Sequence, residues 1–213
     1  MDSDSELTER LRQAGPADSQ LLADLLARHR GRLHRMVELR LDRRLQGRID
    51  PSDVIQDAFL EASSRLPDYL ANPSMPFFVW LRFLVAQKLM ILHRHHLATQ
   101  ARDARREVSL YPGSLPEASS AALARQLLGR LTSPSQAVLR TERKLRLEAA
   151  LNLMEAIDRE VLLLRHFEEL GNLETASVLG ITPAAANNRY VRALKRLKDI
   201  LLQMSAGEKG SEP

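Results

Sequence analysis

Four consecutive residues, Gly180-Ile181-Thr182-Pro183, constrain this chain more than any other stretch. Glycine takes the left-handed conformation that ends a helix. A threonine hydroxyl caps the next helix, and proline fits its first turn, where a missing N–H costs nothing. One helix must therefore stop and another start across a turn of about three residues, a helix-turn-helix arrangement. Upstream, Asn172 reads as an N-cap with Thr175 three residues on, and residues 173–179 as a seven-residue helix. So short a helix is unstable alone and persists only by packing Ala176 and Leu179 on its neighbours. Downstream, Ala186, Tyr190, Ala193, Leu194, Leu197 and Leu201 share one face of a helix. Asn188, Arg189, Arg192, Lys195 and Arg196 share the opposite one. From Thr182 to Lys198 there are five Lys or Arg and no acid.

That second face has the chemistry of a DNA reader. The helix N-terminus and the Thr182 hydroxyl suit a phosphate. Arginine can take a guanine edge bidentately and asparagine an adenine edge. Ala184 and Ala185 keep the leading end slim enough for a major groove. A solvated terminal helix is the plainer reading, and the length of the acid-free face weighs against it.

The rest of the chain also reads as helix. No stretch alternates with period two, and no repeat recurs at solenoid length. Aromatic residues are 4% of the chain against 44% apolar overall, so any core is aliphatic. There is no cysteine, which excludes disulfides and thiolate metal sites. The first residues are polar and acidic, unlike a secretory signal. The most lipophilic stretch, 76–92, is interrupted by Arg82, Gln87 and Lys88 and is short for a bilayer, so it reads as a buried helix. A cytoplasmic protein without membrane attachment is the expectation. The net charge of +4 is concentrated in blocks at 40–48, 94–106, 140–146 and 189–198, and clustered cations suit a polyanion.

The expected organisation is all-α, with two small helical domains: a three-helix domain and a four-helix domain carrying the helix-turn-helix. A flexible segment covers 1–18, the first domain 19–100, a linker 101–133, the second domain 134–204 and a flexible tail 205–213. In the first domain a helix spans about 19–45. Asp50 then caps a second helix with Pro51 in its first turn. Val54, Ile55, Ala58, Phe59 and Ala62 form its apolar face, Gln56, Asp57 and Glu61 lie opposite, and Pro67 ends it. The loop at 68–76 precedes a third helix at about 77–100, whose Trp80 belongs in the core. Arg82 and Lys88 should emerge on one side. The linker holds a short helix at about 118–131.

Three stretches resemble a known family. Asp53-Val54-Ile55-Gln56-Asp57-Ala58-Phe59-Leu60 is similar to the sigma-factor segment that docks on the clamp helices of RNA polymerase. The helix after it resembles the one that melts and reads the minus-ten promoter element, and residues 159–198 resemble the minus-thirty-five reader. Order and spacing fit the extracytoplasmic-function (ECF) subfamily, over about 19–100 and 134–204. Gln87 stands where many relatives have Asn, Ile91 where an Asp is common, and Leu153-Met154 where Leu-Pro is usual.

The resemblance implies partners and roles. Core RNA polymerase would meet Asp53, Gln56, Asp57 and Glu61. Minus-ten DNA would meet Tyr69, Phe77, Trp80, Arg82, Lys88 and Arg94, with Tyr69 and Phe77 either stacking on unpaired bases, at about 1–3 kcal/mol each, or packing locally. Minus-thirty-five DNA would meet Thr182, Ala185, Asn188, Arg189, Arg192, Lys195 and Arg196. An anti-sigma protein is a further implied partner.

Nothing in the sequence supplies catalysis: there is no phosphate-binding glycine loop, nucleophile elbow or zincin pair. His93, His95 and His96 do not make a metal site, because only His93 and His96 share a helical face and arginines flank them. No cofactor is expected, and the chain is read as not an enzyme. Two other classes remain open: a dimeric helix-turn-helix regulator, which would bind a palindrome without polymerase, and a helical adaptor for an acidic protein, which would not bind DNA.

Overall fold

The computed structural model describes residues 4–14, 18–42, 44–98, 119–131 and 137–209. They are organised as nine helices, and the chain divides into two compact units, residues 1–116 and 117–213.

The N-terminal unit is built from α1 (Asp4–Ala14), α2 (Ser19–Arg40), α3 (Pro51–Ala71) and α4 (Phe77–Ala98). Helices α2, α3 and α4 pack on one another, and α1 lies against α2 and α4. The core is aliphatic where the helical spacing puts it. Leu25, Leu33, Met36 and Val37 come from α2, Val54, Ile55, Ala58 and Ala62 from α3, and Phe78, Leu81, Val85 and Leu89 from α4. Each large side chain so buried stabilises the fold by roughly 1.5–3 kcal/mol.

Three boundaries differ from the sequence reading. Residues 4–14 are helical where a flexible end was expected, because Leu11 is wholly buried and anchors an otherwise polar helix. Helix α2 ends at Arg40 instead of near residue 45. There Asp42 clasps Arg44 through both carboxylate oxygens, at 3.0 Å each. That pair holds the Asp42 carboxyl down at about 2, and Gly47, at φ 85, completes the turn. Helix α3 runs through Pro67 to Ala71. An internal proline costs about 3 kcal/mol. Beyond it Tyr69 and Leu70 are buried, and at roughly 1.5–3 kcal/mol each they offset that cost.

The C-terminal unit contains α5 (Ser120–Leu131), α6 (Ala137–Asn152), α7 (Ala156–His166), α8 (Asn172–Leu179) and α9 (Pro183–Lys209). Helix α5 pairs with α6, so the second half of the expected linker is a packed helix, while its residues 101–118 lie outside the described residues. Helix α9 packs on α6, α7 and α8 and continues to Lys209, into the expected tail. Its buried positions Ala186 and Ala193 are small, which lets the neighbouring helices approach closely.

Candidate nucleic-acid interface

The turn between α8 and α9 is held by backbone geometry. Gly180 has φ 64, and the Ile181 N–H donates to the Ala176 carbonyl at 3.0 Å, closing the end of α8. The Ala185 N–H donates to the Thr182 hydroxyl oxygen at 3.2 Å, so Thr182 is the cap of α9. Asn172 is not the cap of α8 but its first residue. Its side-chain amide crosses the turn and donates to the Pro183 carbonyl at 2.9 Å. The start of α8 is tied down instead by Glu174, whose carboxylate accepts the Gly171 N–H at 2.8 Å.

Behind α9, the Tyr190 hydroxyl meets His166 Nε2 at 3.1 Å and the Arg165 guanidinium lies 5.2 Å from the Tyr190 ring centre. Arg159 donates to the Leu151 carbonyl at 3.3 Å, which satisfies the end of α6, and to the Met154 carbonyl just beyond it at 2.7 Å. The platform under α9 is thus fixed by hydrogen bonds as well as burial.

The outer face of α9 is divided. Ala185, Asn188, Arg192 and Lys195 are exposed, and among the described residues neither Arg192 nor Lys195 is in an ion pair. Arg189 lies at the edge of this face, half-buried, with Nη1 at 3.4 Å from Asp158, itself mostly buried in the first turn of α7. Arg196 reaches Glu155 at 3.8 Å. These two arginines were read as part of one free cationic face, but both have acids of α7 beside them. With Arg192, Lys195 and Leu153 they line a cleft between α9 and the start of α7. Leu194, assigned to the core face, is 39% exposed, and Ala193 takes the buried place.

The acidic ridge of α3 is open. Asp53, Gln56 and Asp57 are exposed, and among the described residues their side chains form no ion pair. Leu60, which sequence reasoning passed over, continues the same ridge at 67% exposure. Its spacing from Gln56 and Asp57 could have revealed it. Glu61 differs. Its carboxylate accepts from Lys88 Nζ at 2.6 Å and from Arg65 at 2.7 Å, and the Lys88 hydrogen bond holds its pKa down. Glu61 and Lys88, assigned to two separate interfaces, are spent on each other between α3 and α4.

The aromatic residues around the loop before α4 form one cluster. Tyr69 stacks on Trp80 with centroids 4.6 Å apart, and Phe77 lies 5.8 Å from Tyr69 and 5.6 Å from Trp80. The Tyr69 hydroxyl donates to the Met75 carbonyl at 2.9 Å, and burial pushes its pKa up to about 12. Tyr69 and Phe77 are buried and Trp80 is half-buried. Arg82 does not emerge beside Lys88: it is 6% exposed. Arg94 is exposed. Among the described residues no group of three or more His, Asp or Glu is placed to hold a metal ion, and no helix is long and apolar enough to cross a membrane. His93 is half-buried and its Nε2 faces the Asp42 N–H at 3.5 Å, with burial lowering its pKa. The His96 side chain lies outside the described residues.

The comparisons agree on one family. Residues 144–197 match the sigma-70 region 4 model. The chain is 31% identical to the ECF RNA polymerase sigma factor SigD of Mycobacterium tuberculosis over 152 residues, 71% of this chain and 63% of that protein. It is 27% identical to the RNA polymerase sigma factor CnrH of Cupriavidus metallidurans over 152 residues, 71% of this chain and 73% of CnrH. The solved structure of CnrH in complex with the cytosolic domain of CnrY shares the fold, with a TM-score of 0.52 at 23% identity over 94% of this chain and 97% of that one. The match thus spans less than two thirds of the SigD relatives it resembles. The helix-turn-helix lies inside the stretch that matches sigma-70 region 4, and the chain as a whole is similar to RNA polymerase sigma factors of the ECF type.

Proposed function

We propose that the chain is a promoter-specificity subunit that joins core RNA polymerase in the cytoplasm and directs it to defined promoters. The observation that carries this reading is the open ridge Asp53–Gln56–Asp57–Leu60 on α3. Acids left unpaired beside an apolar side chain suit a partner helix that offers cations around an apolar seam. A ridge sealed inside the molecule would have ruled the reading out, and Glu61, which is already paired with Lys88 and Arg65, is retained only as the brace that fixes α3 against α4.

In the C-terminal unit, Ala185, Asn188, Arg192 and Lys195 are placed for a major groove, and Thr182, whose oxygen caps α9, still has a hydroxyl proton for a phosphate. Arg189 and Arg196 stand at the rim of that surface. In the N-terminal unit the loop before α4, with Tyr69, Phe77 and Trp80 beneath it, is the candidate pocket for an unstacked base, and Arg94 is the cation open to a melted strand. Arg82 and Lys88 support that surface from within. Tethering both units to one polymerase makes the second DNA contact intramolecular, which is how modest surfaces give firm binding. The polymerase performs the chemistry. The complex of CnrH with the cytosolic domain of CnrY supports a protein regulator of the anti-sigma type as a further partner.

The test is a binding titration of core polymerase against the intact chain and Asp57→Arg. Charge reversal should weaken association while isolated-duplex binding persists; equal affinities would remove the docking surface.

A further inference from the structure

Helix α9 carries its cations in two electrostatic states, and the difference comes from α7. Arg192 and Lys195 are open, whereas Arg189 faces Asp158 at 3.4 Å and Arg196 faces Glu155 at 3.8 Å. Neither acid is there for want of another position. Glu155, the cap residue just before α7, has extended backbone angles and makes no side-chain cap hydrogen bond, so its carboxylate is available to α9. Asp158 is only 8% exposed, yet the described hydrogen bond to it from another helix is the one from Arg189. Both pairs border the cleft that also holds Arg192 and Lys195, so acids and DNA-facing cations share one surface.

We propose that Asp158 and Glu155 are restraining residues, which withhold Arg189 and Arg196 from the DNA backbone and thereby set how strongly the C-terminal unit binds duplex of any sequence. The inference rests on the DNA-binding reading above and adds a determinant of specificity to it. Non-specific binding counts phosphates neutralised, at about 0.9 in the salt slope of log K for each. An arginine facing a carboxylate neutralises that carboxylate first. Contacts to base edges from Asn188 and Arg192 are untouched by the pairing, so the acids lower the sequence-independent background more than the specific complex. The ratio of the two is what selects a promoter among competing sites.

A purely mechanical role for the pairs predicts the opposite sign. If Asp158 only braced α9, removing its charge would loosen the helix and weaken binding. The experiment is fluorescence-anisotropy titration of a random-sequence duplex with the full chain, across a range of salt, for wild type, Asp158→Asn and Glu155→Gln. Each variant should bind the duplex more tightly at low salt and steepen the slope by up to about 0.9. Adding Arg189→Gln to Asp158→Asn should return the slope to the wild-type value. Asp158→Asn could disturb α7. Glu155→Gln keeps the question open to refutation, because the Glu155 side chain is exposed and makes no cap hydrogen bond. Unchanged or weaker binding in both variants, with wild type still salt-sensitive, overturns this proposal alone. If wild type and variants all lack salt-dependent duplex binding, the DNA-binding reading falls with it.

Discussion

Helices α3 and α9 each present a charged face, and they treat it differently. On α3 the acids at Asp53 and Asp57 stand open beside an exposed Leu60. On α9 two of the five cations between Thr182 and Lys198 are turned toward acids of a neighbouring helix. An open face with an apolar member suits a protein partner, where desolvated carboxylates and a buried leucine act together. A partly neutralised cationic face suits DNA, where every additional free cation would raise attraction to all sequences alike. Charge count alone does not distinguish these surfaces; the engagement of each charge does.

The contrast is broken most severely at α3. Asp57→Arg places a cation on the proposed docking ridge in place of an anion and should lower affinity for core polymerase about 10- to 100-fold, measured by titration with the purified core. Retention of full affinity would make the α3 ridge ordinary solvated surface. The next effect falls on the platform that α9 needs. Gly180→Val forces a β-branched residue to φ 64 and should destabilise the C-terminal unit by roughly 1–2 kcal/mol, read as a drop in its thermal midpoint. Gly180→Asn should cost less.

The open and withheld cations can then be compared directly. Arg192→Ala should lower the salt slope of duplex binding by about 0.9, and Arg189→Ala by distinctly less, because its charge is already opposed by Asp158. Equal losses would erase the division of α9. The smallest effect concerns Tyr69. Its pKa in the folded chain is raised to about 12 by burial. The stability this neutral phenol provides is fully present below the ordinary tyrosine value near 10 and is lost as pH rises through the folded value, since the unfolded chain ionises first. Base titration of the N-terminal unit should show that loss, and Tyr69→Phe should remove the pH dependence at the cost of the hydrogen bond to Met75.

What could be read from the sequence was local. The turn at Gly180, the cap at Thr182, the start of α3 at Asp50 and the buried stripe of α3 come from spacing and backbone preference, and the structure has them. What escaped was long-range. Asp158 and Arg189 are 31 residues apart, and nothing in either neighbourhood announces the pair. Lys88 looked like a DNA cation until packing of α3 on α4 put Glu61 within 2.6 Å of it. Proline at 67 looked like a stop because propensity weighs one residue, whereas burial of Tyr69 and Leu70 holds the next turn in place. Leu11 anchors α1 although every neighbour argued for a frayed end. In each case tertiary packing overrode a correct local preference.

Recruitment of polymerase to promoters is the central claim. The most direct measurement is run-off transcription by core RNA polymerase on a genomic fragment library, with and without the purified chain. Discrete transcripts that appear only with the chain, and disappear with Asp57→Arg, are the predicted result. Transcript profiles identical to those of core polymerase alone would contradict it.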